Sequence, residues 1–125
     1  MMEERTMTDC ELLVMKVIWE SEEELSLRTI SERVNNGFGK AWKLQTVSTF
    51  LTRLVHKDFL TMERRGRQFF YFPTISESEY GKKEIVKCVD FWHEGKISAL
   101  LAAFTEVREL TEEDKEEIRR LVDER

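Results

Sequence analysis

Apolar residues recur every three or four positions along most of this chain, a spacing that predicts amphipathic α-helices. The first helix begins after a capping box made by Thr8 and Glu11 and continues to about Glu20. A short strand is predicted around Ser26, where leucines alternate with this serine. A second helix then runs from about Leu27 to Asn36 and ends in a segment of asparagines and glycines, residue types that tolerate the left-handed backbone conformation.

The third predicted helix begins near Lys43 and has the most regular pattern in the chain. Its apolar positions follow the i, i+3, i+4, i+7, i+8 spacing: Val47, Phe50, Leu51, Leu54 and Val55. The opposite side carries hydroxyls, one amide and one guanidinium: Gln45, Thr46, Thr49, Thr52 and Arg53. Because a merely solvated face is normally filled with Glu and Lys, this composition predicts a helix that lies close to a polar partner.

Two strands joined by a short turn follow this helix. The strands are predicted over residues 59–64 and 68–72, and the turn between them, Arg65-Gly66-Arg67, contains a glycine. Pro73, the single proline, falls where the second strand should end. Three helices followed by a hairpin with a basic tip is the order of elements expected of a winged helix-turn-helix domain.

Residues 76–125 differ in composition and predict only helices. One helix runs from Ser76 to about Gly95, a second apolar stripe follows, and Thr111 caps a third helix. The apolar positions are Ile85, Val89 and Trp92, then Ile97, Leu100, Leu101 and Phe104, then Ile118, Leu121 and Val122. Three short amphipathic helices cannot enclose much of a core by themselves. We therefore predict a mainly α-helical protein with a small β-hairpin wing, in which a winged-helix DNA-binding domain (1–75) precedes a helical dimerisation domain (76–125).

The net charge of −5 is unevenly distributed along the chain. Residues 1–75 hold eleven Lys/Arg and eleven Asp/Glu, whereas residues 76–125 hold nine and fourteen. Within the first part, residues 40–67 hold seven Lys/Arg against two Asp/Glu. Because salt screens charges beyond about 8 Å, this local basic patch rather than the overall charge determines attraction to phosphate.

Several other classes of protein are not favoured. No apolar run approaches the roughly 18 residues that span a membrane, and the first residues do not resemble a signal peptide, so a cytoplasmic location is expected. Cys10 and Cys88 lack Cys-x-x-Cys spacing. Cys88 and His93 are of metal-ligating types, but positions i and i+5 of a helix do not point the same way, so neither a metal nor another cofactor is predicted. The sequence shows neither a Ser/His/Asp set nor a glycine-rich phosphate loop, so an enzyme is not predicted.

The order of these elements and their residues resembles the penicillinase and methicillin-resistance repressors, the BlaI/MecI family. Four segments carry the resemblance and together span nearly the whole chain. They are residues 8–20; residues 42–60, with the Thr-Val-x-Thr-x-Leu-x-Arg-Leu core; residues 66–73, with the pattern Gly-Arg-x-Phe-x-Tyr-x-Pro; and Leu110-Thr111-Glu112-Glu113. The match is specific because no single motif carries it.

The resemblance implies a homodimeric winged-helix repressor that binds a two-fold operator in double-stranded DNA and blocks transcription. The third helix would lie in the major groove, the wing would contact the flanking backbone, and nearby lysines would contact phosphates. The implied DNA-binding residues are Lys43, Gln45, Thr46, Thr49, Arg53, Lys57, Arg65 and Arg67. Glutamine pairs well with adenine, and arginine serves a base or a phosphate.

The resemblance also implies a mode of regulation. Family members are typically inactivated when a membrane sensor-protease signal leads to cleavage in the dimerisation arm, and the bond that aligns best here is Ala103–Phe104. Relatives have Asn before this Phe, whereas this chain has Ala103. Copper-responsive relatives carry paired Cys-x-Cys motifs near the C-terminus, which are not found here. Asp58 stands where relatives usually have Gly after the third helix, a position that calls for the left-handed conformation.

Two other functions remain open from the sequence. One is a winged helix used for protein contact within a larger assembly, in which case changes to Gln45 and Thr49 would leave DNA affinity unaltered. The other is a metal-dependent regulator or hydrolase built on Cys88, His93 and their neighbours, which would purify with stoichiometric metal.

Overall fold

A computed structural model describes residues 5–124. In chain order, these residues form α1 (Asp9–Glu20), β1 (Leu25–Ser26), α2 (Leu27–Phe38), α3 (Leu44–His56), β2 (Leu60–Arg65), β3 (Gln68–Pro73), α4 (Glu77–His93), α5 (Ile97–Val107) and α6 (Glu112–Asp123). The chain divides into two compact units, the first ending at Tyr80 and the second beginning at Gly81. The mainly helical fold with a small sheet confirms the predicted fold class.

The predicted N-terminal cap of α1 forms as expected, and α2 has a side-chain cap that was not predicted. Thr8 accepts a hydrogen bond from the Glu11 amide while the Glu11 carboxylate accepts one from the Thr8 amide, which completes the predicted capping box. Ser26 caps α2 by accepting from the Thr29 amide. The second helix extends two residues beyond the predicted Asn36, because the left-handed residue that ends it is Gly39, with φ of 62°.

The wing is the two-stranded part of a three-stranded antiparallel sheet. Its strand order is β1-β3-β2, and Leu25 of β1 pairs with Tyr71 of β3. The turn is shorter than predicted, because Arg65 pairs with Gln68 as the last residue of β2. Only Gly66 and Arg67 form the turn, and Gly66 has a φ of 64° that favours glycine.

The core of the first unit lies between α1, α2, α3 and the inner side of the sheet. Its fully buried side chains include Val14, Met15, Leu25, Ile30, Val34, Val47, Leu51, Leu54 and Leu60. The apolar stripe of α3 is therefore its packing face, as predicted, with Phe50 and Val55 partly buried beside it. Tyr80, in the first turn of α4, closes this core against the rings of Trp19 and Phe59.

A buried carboxylate joins the start of α1 to the end of α3. The side chain of Glu11 is 0% exposed, and its Oε1 accepts a hydrogen bond of 2.6 Å from the Lys57 ammonium. Lys57 also donates to the Thr6 carbonyl. Burial alone would raise the pKa of Glu11, but the hydrogen bonds from Lys57 and Thr8 outweigh burial and lower the pKa. The ionised carboxylate is thus the form that the fold stabilises.

Asp58, the residue after Lys57, adopts the left-handed backbone conformation. Asp58 has a φ of 65°, in the left-handed region, as expected where relatives have glycine. Its carboxylate pairs with Arg5, and its carbonyl accepts from Thr74. These contacts help to hold the sharp exit from α3 into β2.

The second unit has little buried apolar surface. Val89 is the only buried residue of the described range 81–124, and neither α5 nor α6 contains a buried residue. Thr111 caps α6 through a capping box with Asp114, and these bonds lower the pKa of the Asp114 carboxyl. No helix in the described part of the chain is long and apolar enough to cross a membrane.

We predict that Lys57→Met destabilises the first unit by about 2–4 kcal/mol, because it leaves the buried Glu11 carboxylate without its cation. The double variant Glu11→Gln/Lys57→Met should recover part of this loss, and Lys43→Met, on an exposed lysine, should change stability by less than about 0.5 kcal/mol. Urea unfolding measures all three.

The same pair predicts the pH dependence. Because the folded pKa of Glu11 lies below its ordinary value of 4.5, its stabilising contribution is full above that pH and is lost as the pH falls through the lower folded value. Glu11→Gln should therefore lose less stability on acidification than the unaltered protein. Parallel pH profiles for both would contradict the assigned pair.

Candidate nucleic-acid interface

The polar side of α3 is accessible to a partner. Gln45 and Arg53 are exposed and Thr46 and Thr49 are half-buried, while the apolar side of the same helix is fixed in the core. Lys43, at the N-cap, is exposed and makes no side-chain capping bond. The first turn carries no acidic residue, so the positive end of the helix dipole is left uncompensated by a nearby carboxylate.

Two threonine hydroxyls of this helix are oriented by the backbone. Thr49 donates to the Gln45 carbonyl at 3.0 Å, and Thr52 donates to the Ser48 carbonyl at 2.9 Å. Each hydroxyl proton is thereby used within the helix, which leaves the hydroxyl oxygen as an acceptor. Thr49 therefore offers a base edge an acceptor and a methyl group, a small side chain that permits close approach.

Side chains alternate between the two faces of the wing, so Arg64 and Arg65 lie on opposite faces. Arg64 pairs across the strands with Phe69, on the same face as Tyr71, which is buried in the core. Arg65 lies on the opposite face, which also carries Phe70. Arg64 was not among the predicted site residues. Its position could have been predicted, because Leu60, Met62 and Arg64 alternate along β2 and therefore share the face of the sheet that packs on the helices.

Arg65 is held by partners within its own unit. Its guanidinium pairs with Glu24 and with Glu63, and it lies over the rings of Phe70 and Phe72 at 4.9 and 5.7 Å from their centroids. The hydrogen bonds that Arg65 donates to Glu24 and Glu63 raise the pKa of Arg65, and the one donated to Glu24 lowers the pKa of that carboxyl. Its predicted phosphate contact would have to compete with these partners.

Lys57, also predicted to contact DNA, is occupied in a similar way. It lies at the C-terminal end of α3, and its ammonium bonds Glu11 and the Thr6 carbonyl. By contrast, Arg67 at the wing tip is exposed and has no ion pair or side-chain hydrogen bond to any described residue. Among the predicted basic residues, Lys43, Arg53 and Arg67 are thus the ones available to an external anion.

A cleft of about 230 Å³ lies between the wing tip and the starts of α2 and α3. Its lining includes Arg28 from α2, Leu44 from α3, and Arg67 and Phe69 from the wing. Arg28 is exposed and was not among the site residues predicted from the sequence. The sequence shows only that a basic residue stands in the first turn of the second helix, and this does not distinguish a binding residue from a solvated one.

The candidate metal ligand Cys88 and the candidate cleavage site both lie in the second unit. Cys88 is an exposed free cysteine, and no group of three His, Cys, Asp or Glu side chains that could hold a metal occurs among the described residues. The Ala103–Phe104 bond lies in the middle of α5. Ala103 is half-buried, and Phe104 is 41% exposed with the Arg108 guanidinium over its ring.

Three helices whose third member presents a polar face, followed by a hairpin with a basic tip, define a winged helix-turn-helix protein. The sequence matches the pattern of the family described as penicillinase repressor over residues 7–124. The chain therefore belongs to the penicillinase repressor family, which confirms the resemblance found in its motifs.

Individual relatives agree with this assignment. The chain is 30% identical to the penicillinase repressor of Bacillus licheniformis over 94% of this chain and 89% of that protein. It is 27% identical to the methicillin resistance regulatory protein MecI of Staphylococcus aureus (strain N315), over 87% of this chain and 86% of that protein.

Solved structures resemble the first unit in particular. The solution structure of the DNA binding domain of the repressor BlaI has a TM-score of 0.53 and 34% identity, and covers 64% of this chain and 94% of that chain. The solution structure of monomeric Bacillus licheniformis BlaI in complex with the blaP half-operator has a TM-score of 0.50 at the same identity and coverage.

Proposed function

We propose that this protein is a DNA-binding transcriptional repressor that binds a pseudo-palindromic operator as a homodimer. The observation that carries the proposal is the polar, accessible side of α3, whose opposite side is buried in the core of a winged helix. The membership in a repressor family and the operator complex of a similar domain support it. A repressor of this kind acts where the chromosome is, in the bacterial cytoplasm.

Base recognition falls to the polar side of α3, mainly in its N-terminal half. A major groove about 12 Å wide admits a helix whose outer side chains are short, as Thr46 and Thr49 are. Gln45 supplies an amide that pairs with adenine through two hydrogen bonds. Arg53 supplies a guanidinium about two helical turns further along α3. These residues carry the sequence selectivity of the proposed complex.

Phosphate contacts fall to the available cations around that helix. Lys43 stands at the start of α3 and Arg67 at the wing tip, and both are exposed. Such contacts raise affinity for every DNA sequence and make it depend on salt. Lys57 is a secondary candidate, since it must first exchange the Glu11 carboxylate for phosphate. Arg65 is paired with Glu24 in the same way and is not counted among these contacts.

Dimerisation is proposed for the second unit because its helices leave large apolar side chains in solvent. The most exposed are Val107 at 89%, Phe91 at 77%, Trp92 at 70% and Val122 at 69%. Monomeric proteins rarely leave so many large apolar groups uncovered in so short a segment. A second copy of the same segment would cover them in an isologous, two-fold interface.

Proteolytic relief of repression is proposed to act on this same segment, at Ala103–Phe104, through a membrane sensor-protease system. Proteases bind extended backbone, so α5 must open before this bond can be cleaved. Since α5 contains no buried residue in the described part of a single chain, it should open readily in the monomer, whereas the proposed dimer contact would oppose its opening.

The DNA-binding proposal is tested by titrating the protein with the DNA upstream of its own gene and with a scrambled duplex, at several salt concentrations. We predict a specific affinity at least roughly a thousandfold above the scrambled control. Equal binding to both duplexes would contradict sequence-specific repression at this site. Absence of binding to either duplex would favour the protein-contact alternative.

The division between base and phosphate contacts gives a matched pair of variants. Thr49→Ala should weaken operator binding by about 1–2 kcal/mol and leave scrambled DNA unaffected. Arg67→Ala should weaken binding to both duplexes similarly and lower the slope of log K against log salt by about 0.9. The same loss on both duplexes for both variants would refute this assignment.

The dimer is tested by sedimentation of the full chain over a range of concentrations. Trp92→Ala should raise the dimer dissociation constant at least roughly tenfold, because it removes a large apolar side chain from the proposed interface. Lys96→Ala, in the link between α4 and α5, serves as the control. A monomer at all concentrations, or a dimer indifferent to Trp92→Ala, would contradict the proposed interface.

A further inference from the structure

We propose that Arg65 is a positioning residue, which clamps the wing to the segment before β1 through Glu24 and Glu63, rather than a phosphate contact. The inference rests on the proposed DNA-binding function and explains how the wing is held in its orientation. It gives Arg65, which the sequence analysis placed in the hairpin turn as a phosphate contact, a structural role instead.

The clamp joins parts of the first unit that are distant in sequence. Arg65 Nη1 donates to Glu24, which lies 41 residues earlier, while Nε and Nη2 donate to the two oxygens of Glu63, each at 3.2 Å. The guanidinium also lies over the rings of Phe70 and Phe72 of β3. One side chain thus contacts both strands of the wing and the segment before β1.

This geometry requires arginine in particular. The guanidinium donates in two directions within one plane, which suits a bidentate bond to Glu63 and a separate bond to Glu24. Its planar shape also permits stacking on the aromatic rings. A lysine ammonium has no planar fork, so it would keep the charge but lose most of the arrangement.

The direction of the side chain separates Arg65 from the phosphate contacts. Cross-strand pairing places Arg65 on the face of the sheet opposite Tyr71, the tyrosine buried against the helices. Arg67 lies in the turn, outside the two paired strands, and lines the cleft beside the starts of α2 and α3. The clamp therefore lies behind the wing with respect to α3 and leaves the tip residue free for DNA.

The consequence of the clamp is a fixed angle between wing and recognition helix. β1 leads directly into α2, so a tie between Glu24 and the wing also fixes the wing relative to the helix pair α2–α3. Exposed ion pairs contribute little singly. Three segments joined through one guanidinium instead limit the orientations of the hairpin, which lowers the entropy lost when the wing binds DNA.

The test compares Glu24→Gln, Arg65→Lys, Arg65→Ala and the double variant Glu24→Gln/Arg65→Ala in the full chain, by operator titration at several salt concentrations. We expect each single variant to lower operator affinity about two- to fivefold, with the slope against log salt unchanged. The double variant should lose no more than Arg65→Ala alone, because both changes break the same clamp. Arg67→Ala is the contrasting variant, with a lower slope.

Glu22→Gln is the matched control, since it removes the same charge two residues away from Glu24. If Glu24→Gln instead tightens DNA binding, or Arg65→Ala lowers the salt slope as Arg67→Ala does, Arg65 is a phosphate contact and the clamp is overturned. Losses equal to that of Glu22→Gln would overturn it as well.

A measurement without DNA separates the clamp from the proposed function. Amide hydrogen exchange at Arg65 and Gln68, the last pair of the ladder, should be faster in Glu24→Gln than in the unaltered protein, and unchanged in Glu22→Gln. Unaltered exchange in Glu24→Gln would overturn the clamp even if the operator binds. If exchange changes as expected but the unaltered protein binds no DNA, the clamp stands and the proposed function fails.

Discussion

Burial of one side of α3 is the constraint on which the rest of the structure depends. Val47, Leu51 and Leu54 are completely buried against α1, α2 and the sheet, so the helix cannot rotate about its axis without exposing them. The helical repeat then determines what the other side presents, which is Gln45, Thr49 and their neighbours. The same apolar contacts that stabilise the unit therefore orient the surface proposed to recognise DNA.

Charges in the first unit serve two distinct purposes. Lys57 and Arg65 neutralise carboxylates within the unit and hold elements together: the end of α3 to the start of α1, and the wing to the segment before β1. Lys43, at the start of α3, and Arg67, at the wing tip, stay exposed. A chain with a net charge of −5 can present a local basic surface because its acidic excess lies in residues 76–125 and salt screens charges beyond about 8 Å.

Much of this architecture could be predicted from the sequence because local rules decide it. The helical repeat predicted α3, and the Thr8–Glu11 spacing predicted the cap of α1. The left-handed Asp58 was expected from the resemblance, because relatives usually have glycine at this position. The roles of individual cations could not be predicted, since Lys57 and Glu11 lie 46 residues apart and meet only in the folded unit. Pairing partners are a property of the tertiary fold, and a basic residue looks the same in sequence whether it binds a carboxylate or a phosphate.

The most direct test of the central claim is a map of backbone amide chemical shifts as an operator duplex is added to the protein. The account predicts that the largest changes cluster in the first half of α3, around Gln45 and Thr49, and at Arg67 of the wing tip. The amides of Val47 and Leu51 belong to the same helix and should shift with it, whereas α6 should be largely unaffected. Changes concentrated in α4–α6, with α3 unperturbed, would contradict the claim that this helix reads DNA.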